Sequence, residues 1–160
     1  MIGPTVQVTA KVDYAVRAMV ELAAADGGPV KGEAIATAQG VPLRFLENIL
    51  LELRHARLVR SQRGSDGGYR LARPAETITI ADVIRIVEGP IASVRSERPD
   101  ELAYVGAAET LREVWVALRT NMRVVLESVT LAHVASGELP PDVVRLARPE
   151  LADHQPQPDV

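Results

Sequence analysis

At 160 residues the chain holds enough to fill one core plus an extension, and its 47% hydrophobic but only 3% aromatic content, rich in Ala, Val, Leu and Arg, favours helices over a β-sandwich. The absence of cysteine excludes disulfides, thiolate metal sites, cysteine nucleophiles and cysteine-held iron–sulfur clusters, while the lack of a long apolar run or a secretion signal predicts a cytoplasmic protein with no membrane partner. A net charge of −3 argues against a general polyanion binder and leaves the distribution of charge to decide the partner.

In chain order, Thr9 is placed to cap a first helix, with Asp13 in the first turn where the helix dipole favours negative charge. Val12, Ala15, Val16, Met19, Leu22 and Ala23 follow the spacing of one buried face, and Asp26-Gly27-Gly28-Pro29 ends the helix. Glu33 to Gln39 reads as a second helix and Leu43 to about His55 as a third, with Leu46, Ile49, Leu50 and Leu53 inward. Between them, small Ala36 allows close approach, Gly40 supplies the left-handed stop, and Val41 points inward: the pattern of a helix-turn-helix. Leu58 to Gln62 and Gly68 to Arg73 then read as two short strands around the glycine-rich loop Gly64-Ser65-Asp66-Gly67. A helix-turn-helix followed directly by such a hairpin is a winged helix.

Thr79 and Asp82 form a capping-box variant that opens a short helix closed by Gly89-Pro90. From Ile91 to about Ala108 periodicity is lost, and a connector of this length is often functional or disordered. A long helix is predicted over about Glu109 to Val129. Along it, Leu111, Trp115, Leu118, Met122, Val125 and Val129 recur at heptad spacing, which favours pairing with a second copy of the chain. Thr130 caps a short last helix ending at Gly137, and Pro140-Pro141 opens a frayed tail. The expected architecture is mainly α: a winged helix-turn-helix with a two-stranded wing, plus a long C-terminal dimerisation helix. The divisions are 9–90 for DNA binding, 91–108 for an effector or sensor loop, 109–137 for dimerisation helix and cap helix, and 138–160 for a flexible tail.

Charge follows this division. Positions 41 to 73 hold seven arginines against three acids, a net of +4, which leaves −7 on the remainder. The positive charge sits in the reading helix and the wing, and the acidic remainder weakens non-specific binding. The three histidines, His55, His133 and His154, show no metal-ligand spacing, and no nucleophile-elbow, Walker or dinucleotide fingerprint is present, so neither a metal nor an enzyme is expected.

Four stretches together resemble the Rrf-type bacterial transcriptional regulators, the family of IscR, NsrR and CymR. They are Lys11 to Met19, Gln39 to Glu47, Leu58 to Leu71 with its Gly-Gly-Tyr ending, and Ile78 to Pro90. The resemblance implies a homodimer whose long helices cross between subunits and whose winged helices each read half of a near-palindromic site on double-stranded DNA. Many members bind an iron–sulfur cluster through three cysteines in the loop before the long helix. Here that loop has none, with Ser96 and Glu109 near the expected positions, so the cofactor expectation is none. Some cluster-binding members also use a carboxylate where Asp13 stands, but Asp13 alone holds no cluster, and a dipole-matched first-turn acid is its simpler role.

The third helix is expected in the major groove, Pro42 and Leu43 opening it. Arg44 suits guanine, Asn48 adenine and Glu47 cytosine, while Phe45 either meets a thymine methyl or packs inward and Glu47 is otherwise a solvated residue. Arg63 precedes Gly64 at the wing's shoulder and suits a narrow minor groove, with Ser65, Gly67 and Tyr69 completing the wing. Arg54 and Arg60, like Arg57 and Arg70, are phosphate contacts or solvated charges, and Lys11 approaches the backbone. Trp115 is either a seam anchor or, with Tyr104, part of a ligand pocket. The leading reading is a dimeric sequence-specific repressor under a small-molecule or protein effector at the 91–108 loop. The alternative is a winged-helix protein-interaction module that does not read DNA.

Overall fold

The computed structural model describes residues 7–148. Seven α-helices and two strands lie within them: α1 (Ala10–Ala24), α2 (Gly32–Gln39), α3 (Leu43–His55), β1 (Val59–Gln62), β2 (Gly68–Leu71), α4 (Ile80–Val87), α5 (Leu111–Ser128), α6 (Leu131–Ser136) and α7 (Pro141–Ala147). This is the mainly helical winged-helix architecture that the sequence predicts, with the long C-terminal helix in place.

The caps lie where the sequence sets them. Thr9 accepts from the Val12 N–H at 3.2 Å, and Thr79 and Asp82 close a reciprocal box at 3.1 and 3.0 Å. Thr130 accepts from the His133 N–H, while His133 Nδ1 accepts from the Thr130 N–H. The core gathers Met19 and Leu22 of α1, Ile35 of α2, Leu46, Ile49, Leu50 and Leu53 of α3, and Val83 of α4. Burying each such side chain contributes about 1.5–3 kcal/mol. Leu131 of α6 is fully buried in the same core, so the chain returns from α5 to pack on the winged helix. Two backbone bonds secure this return: Ile80 N–H to the Val129 carbonyl and Leu131 N–H to the Ile78 carbonyl, each 2.9 Å.

The strands pair antiparallel in the register Val59 with Leu71 through Gln62 with Gly68. One further rung lies on the other side of β2, where Val30 and Tyr69 exchange both backbone hydrogen bonds at 2.8 Å. The wing is therefore anchored to the segment between α1 and α2, for which the sequence reading gives only the helix end at Asp26-Gly27-Gly28-Pro29.

The 91–108 segment is built rather than featureless. Ile91, Pro99 and Leu102 are buried, and short 3₁₀ turns span Pro99–Glu101 and Gly106–Ala108. A second departure falls in the expected tail, where Pro141 stands at the first position of α7. Proline lacks an N–H that is unpaired there in any case, and Asp142 follows in the first turn. The rest of the tail, with His154, lies outside the described residues. No helix among those described is long and apolar enough to cross a membrane.

Candidate nucleic-acid interface

The turn between α2 and α3 is set by Gly40, at φ 61° and ψ 35°, whose N–H bonds back to the end of α2. Val41 follows, buried, with its N–H on the Ala36 carbonyl at 3.0 Å. Pro42 is the N-cap of α3 and no side chain caps that end, so the first N–H groups of α3 stay open to an anionic partner. Beyond it the helix is two-faced. Leu46, Ile49, Leu50 and Leu53 are buried, whereas Arg44, Phe45, Glu47, Asn48 and Leu51 are exposed.

Phe45 is neither free nor in the core. It is 41% exposed, yet its ring meets Tyr14 of α1 edge-on at 5.7 Å. Leu43 is half-buried beside Gly32, where the Tyr69 ring also arrives. Tyr69, half-buried and hydrogen-bonded through its backbone to Val30, is held inside the wing's base. Lys11 pairs with Glu52 of α3 at 2.9 Å, which ties the first helix to the third and occupies its charge. Arg54 donates to Ser61 Oγ at 3.2 Å, joining the end of α3 to β1.

The wing tip exposes Arg63, Gly64, Ser65 and Asp66, and Arg60 is exposed on β1. Gly67 is buried, and a Cβ there would lie 2.3 Å from the Gln62 carbonyl oxygen, so only glycine fits this turn. Of the seven arginines between 41 and 73, six have no ion pair among the described residues. The seventh, Arg73, lies 3.9 Å from Asp82. Elsewhere Arg17, Arg85, Arg98, Arg119, Arg123 and Arg145 are paired with carboxylates, whereas Arg95, Arg112 and Arg148 are not, among the described residues. Six of the nine guanidinium groups without an ion pair among the described residues thus lie between Arg44 and Arg70, from α3 through the wing.

All the expected seam residues but Val129 lie on α5, none of whose residues is buried within the single chain. Leu111, Trp115, Leu118, Met122 and Val125 are half-buried, and Trp115 donates to the Tyr104 hydroxyl at 3.1 Å. Val129, just past the helix, is buried in its own subunit, while Val114 and Val124, outside the expected seam, are 55% and 62% exposed. Sequence reasoning missed Arg17, whose anchoring of the turn shows in no local motif, and the apolar surface of Leu51.

A fold of this kind, with a two-faced third helix and a basic wing, defines a winged-helix transcriptional regulator. A family profile described as "Rrf2: Iron-dependent Transcriptional regulator" matches residues 8–137. Rv1287 of Mycobacterium tuberculosis H37Rv, provisionally named a helix-turn-helix transcriptional regulator, is 55% identical over 142 residues, 88% of each chain. The solved structure of CymR, the global cysteine regulator of Bacillus subtilis, superposes with a TM-score of 0.71 at 36% identity, covering 81% of this chain and 96% of that one. The T. potens IscR structure gives 0.64 at 33% identity, over 94% and 93%. The chain belongs to the Rrf2 family of transcriptional regulators, a family that is not enzymatic.

The iron in the family's description does not fit these residues. The chain offers no thiolate, and no group of three His, Cys, Asp or Glu among the described residues is placed to hold a metal ion. In the 91–108 segment Asp100 is engaged by Arg98 and Arg119 at 3.2 and 2.9 Å, and Asp13 by Arg17 at 2.9 Å.

Proposed function

We propose that this chain is a dimeric, sequence-specific DNA-binding regulator that represses from a near-palindromic operator. It works without an iron–sulfur cluster and answers to a small molecule or protein partner at the 91–108 segment. The observation that carries the reading is the set of six arginines from α3 through the wing with no carboxylate partner among the described residues, in a chain whose net charge is negative. Leaving guanidinium groups unpaired and clustered is unfavourable in the free protein and favourable against phosphate.

Arg44 and Asn48 sit one turn apart on the exposed face of α3, at i and i+4, so both side chains face one stretch of groove. Dimerisation through α5 is supported by an 18-residue helix none of whose residues is fully buried in one chain and which exposes Val114 and Val124. Such a dimer sets two reading helices about 34–36 Å apart, one turn of duplex. Rotation of one winged helix relative to the other spoils that spacing and releases the DNA.

The test is duplex affinity against salt. The reading predicts a slope of log K on log salt of about −4 or steeper for the dimer. The alternative of a protein-docking module draws on exposed Phe45 and Leu51, and predicts no duplex binding at any salt.

A further inference from the structure

Four arginines from three separate parts of the chain line one groove away from the reading helix. Arg85 comes from the last turn of α4, Arg98 from the 91–108 segment, and Arg119 and Arg123 from consecutive turns of α5. Gly89, Pro90 and Ile91 complete the walls, no carboxylate is among the lining residues, and the volume is about 470 Å³. That is within the range of small-molecule sites, but the walls carry far more charge than a pocket for an apolar ligand.

The acids next to the groove leave its donors underused. Asp100 bridges Arg98 and Arg119, and Glu127 bridges Arg85 and Arg123. Asp82 and Glu101 stand further off, at 3.8 Å from Arg85 and 3.9 Å from Arg98. Four guanidinium groups bring about twenty N–H donors, and two carboxylates accept about eight. Arg119 gives only Nη1 to Asp100, and its Nε is buried with no partner. Arg123 gives only Nε, to Glu127. Like charges at i and i+4 on a helix repel, yet Arg119 and Arg123 are placed so, and neither the core nor the reading helix uses them.

We propose that this groove binds a small organic polyanion, one bearing two or more carboxylate or phosphate groups, between α4 and α5. Guanidinium forks take either group by paired N–H···O bonds. The anion competes with Glu127 and Asp100 for the four arginines and so resets the joint between the winged helix and the long helix. The inference rests on the reading of the 91–108 segment as the regulatory element and gives its ligand a chemical class.

The experiment is titration of the full chain, without DNA and at constant ionic strength, with citrate and with inorganic pyrophosphate. Calorimetry gives the affinity. Fluorescence of Trp115, the only tryptophan and one turn before Arg119, gives a second readout. Saturable binding is expected for at least one probe, citrate marking a carboxylate site and pyrophosphate a phosphate site. Arg119→Gln and Arg98→Gln should each weaken it about tenfold or more, by loss of a charge-assisted pair. Arg145→Gln, exposed on α7, should leave it unchanged. Arg98 is also exposed, so its variant keeps the test intact if Arg119→Gln unfolds. Absence of saturable binding, or binding equal in wild type and both groove variants, overturns the proposal. Because no DNA is present, that failure leaves operator reading standing, and failure of operator reading leaves this titration standing.

Discussion

Arg17 of α1 donates from Nη1 to the carbonyl oxygen of Gln39 at 2.7 Å, tying the first helix to the last residue of α2. Carbonyls at a helix's end have no partner within the helix, so this bond satisfies the turn just before α3. The same guanidinium pairs with Asp13 at 2.9 Å and lies 5.0 Å from the centre of the Tyr14 ring, which meets Phe45 edge-on. One side chain therefore links the turn to the first turn of α3.

Removing it should loosen that turn. Arg17→Met keeps the stem and loses the hydrogen bond, and should destabilise the fold by about 1–2 kcal/mol, the unpartnered Nε offsetting part of a charge-assisted bond. Asp13→Ala, which breaks the exposed pair and removes a first-turn acid, should cost about 1 kcal/mol or less. Urea unfolding of both variants checks the order, and equal losses would contradict it.

The wing's glycines should fall into two classes. A Cβ at Gly67 would lie 2.3 Å from a backbone oxygen, and one at Gly68, at φ 152°, would lie 2.6 Å from the Val30 carbonyl. Alanine at either position should cost at least about 2 kcal/mol and disrupt the rung to Val30. Gly64, at φ 105°, has open space around its would-be Cβ, so Gly64→Ala should cost only about 1 kcal/mol of backbone strain. Thermal unfolding of the three variants gives the ranking.

Acid should undo the joint between α4 and α5. Hydrogen bonds from Arg85 and then Arg123 hold the Glu127 carboxyl below its ordinary value. With the folded value the lower one, the unfolded chain binds the proton first as pH falls. The contribution is therefore complete above the ordinary glutamate value, about 4.3, and is lost as pH drops through the folded value. Between pH 5 and 3 the wild type should lose more stability than Glu127→Gln. Parallel curves would show that the bridge contributes nothing.

Strain is stored in the turn Val94 to Glu97. Its ends exchange both backbone hydrogen bonds, at 3.0 and 2.9 Å, around Arg95 and Ser96 at φ 51° and 65°. Such a two-residue turn favours Asn-Gly. Replacing Arg95→Asn together with Ser96→Gly should stabilise the protein by about 1–2 kcal/mol, read as a higher unfolding midpoint. A lower midpoint would mean that the native pair makes contacts worth more than the strain.

Where local chemistry determines structure, the sequence was a good guide. The caps at Thr9 and Thr79, the stop at Gly40, and the inward set of α3 each follow from a few neighbouring residues. What escaped it depends on distant pairs. The rung between Val30 and Tyr69 has no periodicity to reveal it, since one residue makes the pairing. The burial of Leu131 in the winged-helix core comes from the chain's return past α5. The arginine groove draws on three parts of the chain, and only the spacing of Arg119 and Arg123 on α5 was there to be seen beforehand. On the proposed reading face Arg44, Glu47, Asn48 and Arg63 are exposed, while Tyr69 is half-buried and Lys11 pairs with Glu52.

The most direct measurement is selection of duplexes from a random-sequence pool by the full chain at near-physiological salt, beside the Arg44→Ala, Arg63→Ala double variant. The account predicts one near-palindromic motif with half-sites a helical turn apart, lost in the variant, each base-reading contact contributing about 1–3 kcal/mol of discrimination. Recovery of no motif, or of the same motif by the variant, would contradict it.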